Sequence, residues 1–523
     1  MPSRKFFFLF SLLLCFLASL LPATAQLPPA KPDLLAPKVP VGSGACSATA
    51  ATLCDDATPK IIAHALGPSP LEENLRRLTD EVGGRMSGSL AMTRAVAWAV
   101  AAFRQAGVDD VHTEKFTMPV SWSEGATRLE VLSPRPFPVR LVSVGWSPPT
   151  PAGGIEADVV DIGEGSEADF AAVRARARGA ILLAHSELSR TWEDLFNEYL
   201  RAPGIIDRAA RSGAAAILWM STRERGLLYR HQNSLTGDLD GLPQAIVARE
   251  DAMRLARFLA GGQRVRVRLA MPNQVGGPVE QENVVAEIRG REKPDEFVIL
   301  GAHLDSWELG TGALDNGCNA ALVIDAARAL AAAGWRPRRT LRFVLFSGEE
   351  QGMLGGWAYV RAHRNEMDRT VAVVIYDEGI GRVTGYSLGG RRDIEAAVRE
   401  VLKPVESWGA NRHTADAFAG TDNFDFLLEG VPTLVATQEE ANYLPNYHAS
   451  SDTFDKVDIR ELKLHTALAA VTLFGIAERA TPLGKRQARE EIEALMKETG
   501  LDKQMQNLGL WPMWEQGQRG RTR

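Results

Sequence analysis

Two apolar runs flanking an alanine-rich segment constrain the fold of this chain more than any other feature. The first run covers 297–300 and is followed by His303; the second covers 341–346 and is followed by Glu349 and Glu350. Short apolar runs bounded by glycine are typical of strands buried on both faces of a sheet. The segment between the runs has apolar residues at helical spacing, at Leu322, Ala326, Ala329, Leu330 and Ala333. The pattern predicts a strand–helix–strand unit with a parallel crossover.

Potential metal ligands follow the ends of the predicted strands. A third apolar run, 370–376, is followed directly by Asp377. Asp315 lies in a glycine-rich loop after the first strand, and His448 lies in a loop after the strand-like stretch 431–437. Ligands bind beyond the carboxyl ends of the strands in open parallel sheets. We therefore expect these side chains to meet at one edge of a mixed, largely parallel α/β sheet flanked by helices.

The overall composition limits the classes of protein to consider. A chain of 523 residues is long enough for two or three domains. Its hydrophobic content of 45% and charged content of 24% are those of a globular protein, and the mild net charge of −6 argues against a nucleic-acid-binding surface. No segment beyond the N-terminus has the roughly 18 consecutive apolar residues that a membrane span requires.

The first 25 residues have the organisation of a signal peptide. Two basic residues precede the apolar run 6–21, and small residues at 23–25 provide a cleavage site, so that Gln26 is the expected mature start. A membrane anchor is the alternative, but the apolar run is short and a cleavage site follows it. The sequence therefore predicts export, to the periplasm or the medium.

Changes in composition divide the chain into segments. Residues 119–276 contain short β-like runs separated by turns rich in proline and glycine, and a helical stretch around 205–211, without a cluster of metal-ligand residue types. This block is predicted to be an inserted β-rich domain; the alternative is that it belongs to the main core. The predicted segments are a signal peptide (1–25), an extended lead-in (26–58), a first part of the main domain (59–118), the inserted domain (119–276), a second part of the main domain (277–480), and a C-terminal helix and tail (481–523). The last dozen residues, including Trp514, are expected to be poorly ordered or to pack on the outside.

Three cysteines remain after cleavage of the signal peptide. Export makes disulfide bonds possible, and Cys46 and Cys54 form the only close pair in the mature sequence. They are either bridged or both reduced, and the sequence does not decide between these states. Cys318 lies on the predicted alanine-rich helix and is expected to be a small buried residue.

The candidate ligands have the chemistry of a zinc site. Zinc takes nitrogen and oxygen donors in low coordination number, which suits two imidazoles and several carboxylates. Three or more carboxylates carry too much negative charge for one zinc ion, whereas two divalent ions about 3.5–4 Å apart can share a bridging carboxylate. Adjacent residues at a strand end point in different directions, so one of Glu349 and Glu350 can bind metal while the other serves as a general base.

Each of these features also has a simpler explanation. A histidine near an aspartate is usually a hydrogen-bonded pair, and a pair of glutamates after a strand is often the start of a helix. The coincidence of all of them at the ends of strands in one sheet favours the metal site. The sequence contains no H-E-x-x-H, G-x-S-x-G or P-loop pattern, which removes three common hydrolase and nucleotide-binding classes.

Taken together, these residues resemble the co-catalytic zinc aminopeptidases. The resemblance covers roughly 65–480 and rests on several short stretches: 83–85, 283–286, 301–307, 312–316, 349–352, Asp377, and His448 before 451–453. The block 119–276 resembles the protease-associated domain that many members carry as an insert. The resemblance implies a mixed sheet flanked by helices with this insert, and a hydrolytic activity.

The resemblance also implies a role for each site residue. His303 and Asp377 would hold one zinc ion, Glu350 and His448 a second, and Asp315 would bridge the two. Glu349 would be the general base, which takes a proton from the attacking water and returns it to the leaving amine. Asp305 would orient the imidazole of His303, and either Tyr443 or Tyr447 could donate a hydrogen bond to the oxyanion.

The predicted function is that of an exported dizinc exopeptidase that removes N-terminal residues or splits dipeptides. Its predicted partner is a peptide or dipeptide substrate, with no nucleic acid and no membrane after cleavage of the signal peptide; a homodimer is left open. One alternative is a glutaminyl cyclase of the same fold with a single zinc ion. The other is a receptor-like binding protein without catalysis. The complete ligand set favours the peptidase, because a binding protein has no need of it.

Overall fold

The computed structural model describes residues 51–522, and their side chains from residue 57 to residue 522. The predicted signal peptide and Cys46 lie outside this part of the chain, so export and the Cys46–Cys54 pairing stay predictions. The extended lead-in predicted for 26–58 is wrong at its end, because residues 51–58 belong to a helix that continues through Pro59. Cys318 is buried as predicted.

The N-terminal part of the chain forms three helices and an edge strand. Ser89 caps the third helix by accepting a hydrogen bond from the backbone N–H of Met92, and Gly107 ends it in the left-handed conformation. The strand pairs with one neighbour only, as predicted for an edge strand from its alternating pattern. These elements are α1 (Ala51–Leu66), α2 (Leu71–Arg76), α3 (Leu90–Ala106) and β1 (Asp110–Met118).

The block predicted to be an insert has a seven-stranded sheet of its own, which we call the second sheet. Four of its strands run parallel in the order β5-β6-β7-β8, with antiparallel strands at the sides, and β2 and β10 form a separate antiparallel pair. The strands are β2 (Ser121–Ser123), β3 (Arg128–Ser133), β4 (Leu141–Ser143), β5 (Ile155–Asp161), β6 (Ile181–Ala184), β7 (Ala216–Met220), β8 (Gln244–Val247), β9 (Arg266–Ala270) and β10 (Gln274–Gly276).

Three α-helices also belong to this block, and only part of one of them was predicted from the sequence. They are α4 (Glu167–Val173), α5 (Trp192–Ser212) and α6 (Arg249–Ala260). Helix α5 starts at a capping box formed by Thr191 and Asp194 and continues past Pro203 for 21 residues in all. Only the second half of α5 was predicted to be a helix, because Pro203 and Gly204 interrupt the helical pattern of the sequence.

The main sheet, which we call the first sheet, carries the predicted strand–helix–strand unit. Its order is β1-β11-β13-β12-β14-β16-β15, in which the four strands from β13 to β16 are parallel and the others antiparallel. The predicted mixed, largely parallel sheet is therefore confirmed. The elements from here to the end of the main domain are β11 (Val279–Ile288), β12 (Lys293–His303), α7 (Cys318–Ala333), β13 (Arg339–Phe346), α8 (Leu354–Ala362), β14 (Thr370–Ile375), β15 (Val383–Ser387), α9 (Glu395–Leu402), α10 (Phe424–Leu428), β16 (Thr433–Gln438), α11 (Tyr443–Asn446) and α12 (Ile459–Glu478).

Helices cover both faces of the first sheet. Helices α1, α3, α7 and α12 pack on one another and on one face, and α8 and α10 lie against the other. Every residue of β13 and β14 is buried as a result. This double coverage explains why these strands are continuous apolar runs in the sequence. No helix in 51–522 combines the length and apolar character that would be needed to cross a bilayer.

The C-terminal segment packs against the main domain through α13 (Arg489–Thr499), α14 (Leu501–Asn507) and α15 (Trp511–Glu515). Trp514 is 1% exposed, and the guanidinium of Arg489 lies 3.8 Å from the centre of its ring. Arg519 is fully buried. Of the two alternatives expected for the tail, poor order is wrong and packing on the main domain is what the structure shows, because the tail completes a hydrophobic cluster with α10.

Candidate metal centre

The carboxyl ends of the central parallel strands bring the predicted ligands to one edge of the first sheet. His303 is the last residue of β12, and it pairs with Phe346, the last residue of β13. Glu349 and Glu350 follow three and four residues after that strand, and Asp377 follows two residues after β14. The strand register therefore places these side chains together, as the sequence pattern predicted.

The site contains two groups of three ligand residues that share Asp315. One group is His303, Asp315 and Asp377, and the other is Asp315, Glu350 and His448. The Nε2 atom of His303 lies 3.0 Å from Oδ1 of Asp377 and 3.1 Å from Oδ1 of Asp315. On the other side, the Nε2 atom of His448 lies 3.0 Å from Oε2 of Glu350 and 3.1 Å from Oδ2 of Asp315. The two oxygens of Asp315 thus face different histidines.

This donor set fits two zinc ions. Each group offers one imidazole nitrogen and two carboxylate oxygens, all within 4.8 Å of one another. Nitrogen and oxygen donors in this number are those that zinc prefers, with positions left for water or substrate. Oε1 of Glu350 is buried and has no hydrogen-bond partner among the described residues, as expected of an atom that faces a metal.

The protein alone holds this cluster as buried ion pairs. Burial lowers the pKa of His303, but the charge of Asp377 and hydrogen bonds with Asp305 raise it well above its usual value. Burial opposes the charge on His448 as well, yet Glu350 raises the pKa of His448 to about 9. Burial raises the pKa of Glu350 itself to about 7. Metal binding at such residues releases protons, because imidazole and carboxylate bind metals in their deprotonated forms.

Glu349 belongs to neither ligand group in the described part of the chain. Its side chain is half-buried beside the cluster, and burial raises the pKa of its carboxyl well above the usual value. Its backbone N–H donates to the carboxylate of Asp305 at 3.3 Å. The turn that carries Glu349 is therefore fixed while its carboxylate stays free of the predicted ligands.

Asp305 lies nearer to His303 through its main chain than through its side chain. The Nδ1 atom of His303 lies 3.0 Å from the backbone carbonyl oxygen of Asp305, whereas the carboxylate of Asp305 is farther away, at 3.7 Å. The carboxylate instead accepts hydrogen bonds from the backbone N–H groups of Glu349 and Glu350 and from the hydroxyl of Ser87. Asp305 therefore orients His303 through its main chain and supports the glutamate turn through its side chain.

The side chain of Asp452 fixes the loop that carries Asp315, a role that was not predicted from the sequence. The carboxylate of Asp452 accepts hydrogen bonds from the backbone N–H groups of Ala313, Leu314 and Asp315 at 2.7–3.1 Å. The buried guanidinium of Arg85 donates to the carbonyl oxygens of three residues in the same loop region: Leu304, Thr311 and Gly312. These hydrogen bonds fix the conformation of the loop that carries Asp315, the residue shared by the two ligand groups.

Gly84 in the neighbouring glycine-rich turn is required by close packing. A Cβ atom at this position would lie 2.5 Å from Cα of Glu308 and 2.8 Å from the carbonyl oxygen of Gly310. Such contacts are shorter than backbone atoms can tolerate, so glycine lets the two loops meet. The turn 83–85 thereby delivers Arg85 to the loop that carries Asp315.

The loop that carries His448 is positioned by the second sheet's block. His448 has a φ of 57°, which is uncommon for a residue with a side chain. Its carbonyl oxygen accepts a hydrogen bond from the backbone N–H of Arg230 at 3.0 Å, and Ser450 donates to the carbonyl of Leu228. The ring of Tyr447 stacks on the imidazole with 3.6 Å between centroids. The block predicted to be an insert therefore contacts the loop of a candidate metal ligand.

Several residues near the site were not found from the sequence. Tyr199 on α5 places its hydroxyl 3.4 Å from Nδ1 of His448. Asp422 is buried, and both of its carboxylate oxygens are without hydrogen-bond partners among the described residues. The ring of Trp307 lies 6.0 Å from that of His448. No spacing in the sequence links these residues to the ligands, although the Thr191–Asp194 capping box could have revealed the helix that carries Tyr199.

The space beside the ligands is small in this conformation. A cavity of about 10 Å³ lies next to Asp315, Glu350 and His448, with Trp307 on its wall. This volume accommodates about one water molecule and is too small for a dipeptide. The space between these residues is therefore narrow in this conformation.

Comparison with known proteins assigns this arrangement to a family. Residues 283–473, which contain all of the predicted ligands, match the model of Peptidase family M28. The similarity extends well beyond that region, because a known relative is 30% identical over 409 residues. The chain belongs to peptidase family M28, and the predicted class of zinc metallopeptidase is confirmed.

That relative is carboxypeptidase Q of Mus musculus, and the matched part covers 78% of this chain and 85% of the relative. Among solved structures, a peptidase M28 precursor from Shewanella amazonensis is 28% identical, with a TM-score of 0.75 over 82% of this chain and 98% of that one. A zinc aminopeptidase from Bacillus subtilis has the same fold at 19% identity, with a TM-score of 0.62 over 80% of this chain and 97% of that one.

Proposed function

We propose that this chain is a dizinc exopeptidase that hydrolyses the peptide bond next to a free N-terminus. The observation that carries the proposal is the pair of ligand groups joined by the two oxygens of Asp315. His303 and Asp377 would hold one zinc ion, and Glu350 and His448 the other. The similarity to carboxypeptidase Q and to an aminopeptidase supports an exopeptidase. Export through the predicted signal peptide forms part of the same proposal.

The reaction needs a base and a donor beside the metal centre. Zinc, when bound, supplies Lewis acidity that activates water and polarises the carbonyl group of the substrate. We assign Glu349 as the group that accepts a proton from the attacking water and passes it to the leaving nitrogen as the C–N bond breaks. Asp305 keeps this base in place through the backbone N–H of Glu349.

The structure favours Tyr447 over Tyr443 as the donor to the oxyanion. The hydroxyl of Tyr443 donates to the carbonyl oxygen of Asp377 at 3.3 Å, so its hydrogen is already used. The hydroxyl of Tyr447 contacts only Tyr199 among the described residues, and Tyr447 is partly exposed. Tyr447 is therefore assigned to bind the oxygen that becomes negative in the transition state.

Metal counting together with a substrate panel tests the proposal. The wild-type protein should bind about two zinc ions per chain and cleave unblocked dipeptides or aminoacyl-arylamides, and a chelator should stop the cleavage. Glu349→Ala should keep both ions and lose about 10²- to 10⁴-fold in kcat, since it removes only the base. His448→Ala should lose one ion.

One zinc ion in the wild-type protein, with release of ammonia from N-terminal glutamine, would instead indicate a cyclase. Two ions without turnover would indicate a binding protein.

A further inference from the structure

A helix of the second sheet's block lies directly on the metal centre. Three aromatic residues of α5, at spacing i, i+4 and i+7, form one stripe of the helix: Trp192, Phe196 and Tyr199. Each meets an aromatic side chain of the main domain. The ring of Trp192 lies 5.4 Å from that of Tyr443, and the ring of Phe196 lies 5.7 Å from that of Phe418. The stripe therefore presses the turn that carries Tyr199 against the loop of His448.

The contacts of His448 determine which of its nitrogens carries a hydrogen. Its Nε2 atom faces the carboxylates of Asp315 and Glu350, and is the atom that would bind metal. A neutral imidazole bound to metal through Nε2 carries its hydrogen on Nδ1, and this N–H group requires an acceptor. The described atom in position to accept is the hydroxyl oxygen of Tyr199, at 3.4 Å.

The direction of the next hydrogen bond follows from this. Because the Tyr199 oxygen accepts from His448, its own hydrogen is available to the oxygen of Tyr447, which lies 3.1 Å away. The Tyr447 hydroxyl then accepts from Tyr199 and keeps its own hydrogen for a substrate oxygen. Without Tyr199, the same hydroxyl would have no described partner to set its direction.

The neighbouring residue, Glu198, anchors this turn of α5 within its own block. Its carboxylate accepts hydrogen bonds from the hydroxyls of Thr222, at 3.0 Å, and Tyr229, and it lies 3.4 Å from Nδ1 of His231. The ring of His231 also packs on Tyr199 at 5.1 Å between centroids. This network supports the ring and the helical turn of Tyr199. The hydroxyl of Tyr199 makes no hydrogen bond to the described residues of the network.

We propose that Tyr199 is a positioning residue of the peptidase reaction, which orients His448 through Nδ1 and directs the hydroxyl of Tyr447 towards the substrate. The inference rests on the proposed function, since it assigns the second zinc ligand and the oxyanion donor as above. It makes the second sheet's block a contributor of a functional side chain. Tyr199 and Tyr447 come from distant parts of the chain. They can act together on the reaction only when α5 is packed against the main domain.

Tyr199→Phe tests this role, because it removes one oxygen atom and keeps the aromatic stripe. We expect kcat at saturating zinc to fall about 10- to 100-fold with KM within about twofold of the wild-type value, since losses of this size follow removal of partners of metal-bound histidines. In chelator competition, one of the two zinc ions should leave about 10-fold more readily. Tyr359→Phe removes another buried hydroxyl, one that bonds Arg342, and should change neither quantity.

A double variant separates positioning from a general loss of packing. If Tyr199 acts through Tyr447, Tyr199→Phe should lower kcat little further in a Tyr447→Phe background. Multiplicative losses, or wild-type kcat and zinc affinity in Tyr199→Phe, would overturn the proposal. Failure of the wild-type protein to bind two zinc ions or cleave peptides would refute the proposed function itself, and is visible before any variant is made.

Discussion

The fold accommodates the carboxylates of Asp240, which is half-buried, and Asp452, which is buried, in different ways. Burial raises the pKa of both to about 7. For Asp452, hydrogen bonds from the backbone N–H groups of Leu314 and Asp315 work in the opposite direction and favour the charged form. Asp240 accepts one hydrogen bond, from the amide of Gln244 at 2.8 Å, and no opposing effect on its pKa accompanies burial. Its charge is therefore a cost to the folded state at neutral pH.

Asp240→Asn should relieve this cost in a pH-dependent way. The pKa of Asp240 is raised from 3.8 to about 7 on folding, so the folded state holds the proton more tightly than the unfolded state does. Its contribution to stability is complete below about pH 4 and is lost as the pH rises to about 7. We expect the variant to match the wild type at pH 4 and to exceed it on the order of 3 kcal/mol in unfolding free energy at pH 8.

Urea unfolding at both pH values measures this difference. The exposed neighbour Asp238 provides the control, because Asp238→Asn should give the same small effect at pH 4 and pH 8. A stability difference for Asp240→Asn that does not change with pH would show that the carboxyl of Asp240 is not perturbed by burial.

Among the elements, strands were easier to predict than helices. Strands β12, β13 and β14 were recognisable because burial on both faces leaves continuous apolar runs, and their ends then located His303 and Asp377. Helix α5 was half missed because Pro203 breaks its pattern. A proline cannot donate the helical hydrogen bond to the residue four positions earlier, which here is Tyr199. The turn of α5 that reaches the site therefore lacks one helical hydrogen bond.

Phe196→Ala should loosen α5 from the main domain. The substitution removes the edge-to-face contact with Phe418 and part of the aromatic stripe. Aromatic pairs contribute about 0.5–1.5 kcal/mol beyond their buried area. We expect the amide hydrogens of α5 to exchange about 10-fold faster, while those of β12, β13 and β14 keep their protection. Hydrogen exchange followed by mass spectrometry measures both sets of amides in one experiment.

Asn197→Ala is the matched control for Phe196→Ala, because Asn197 is the next residue of α5 and is exposed. It should leave the exchange of α5 unchanged. Equal rates in the Phe196→Ala variant and the wild type would mean that the aromatic stripe does not hold α5 against the main domain.

At the scale of the whole molecule, the site depends on contacts between distant segments that no local pattern reveals. The ligands could be predicted because each ends a strand or lies in the loop that follows one. Tyr199 and Asp452 could not, because they reach the site through packing between the second sheet's block, the C-terminal loops and the first sheet. The sequence left the order of the tail open for the same reason: the tail is polar along much of its length, yet Trp514 and Arg519 are buried.

The tail supports the turn of Glu349 and Glu350 through one buried ion pair. Arg519 makes two hydrogen bonds of 2.8 Å to the carboxylate of Asp425 and one of 3.2 Å to the carbonyl oxygen of Gly352, two residues after Glu350. Removing one partner of a buried pair leaves an uncompensated charge, which costs about 3–5 kcal/mol. Arg519→Met should therefore lower the thermal midpoint by several degrees, and the added change Asp425→Leu should restore part of the loss. The exposed Lys503 of α14 supplies the control, and Lys503→Met should leave the midpoint unchanged. An Arg519→Met protein as stable as the wild type would show that the tail is only an appendage of the fold.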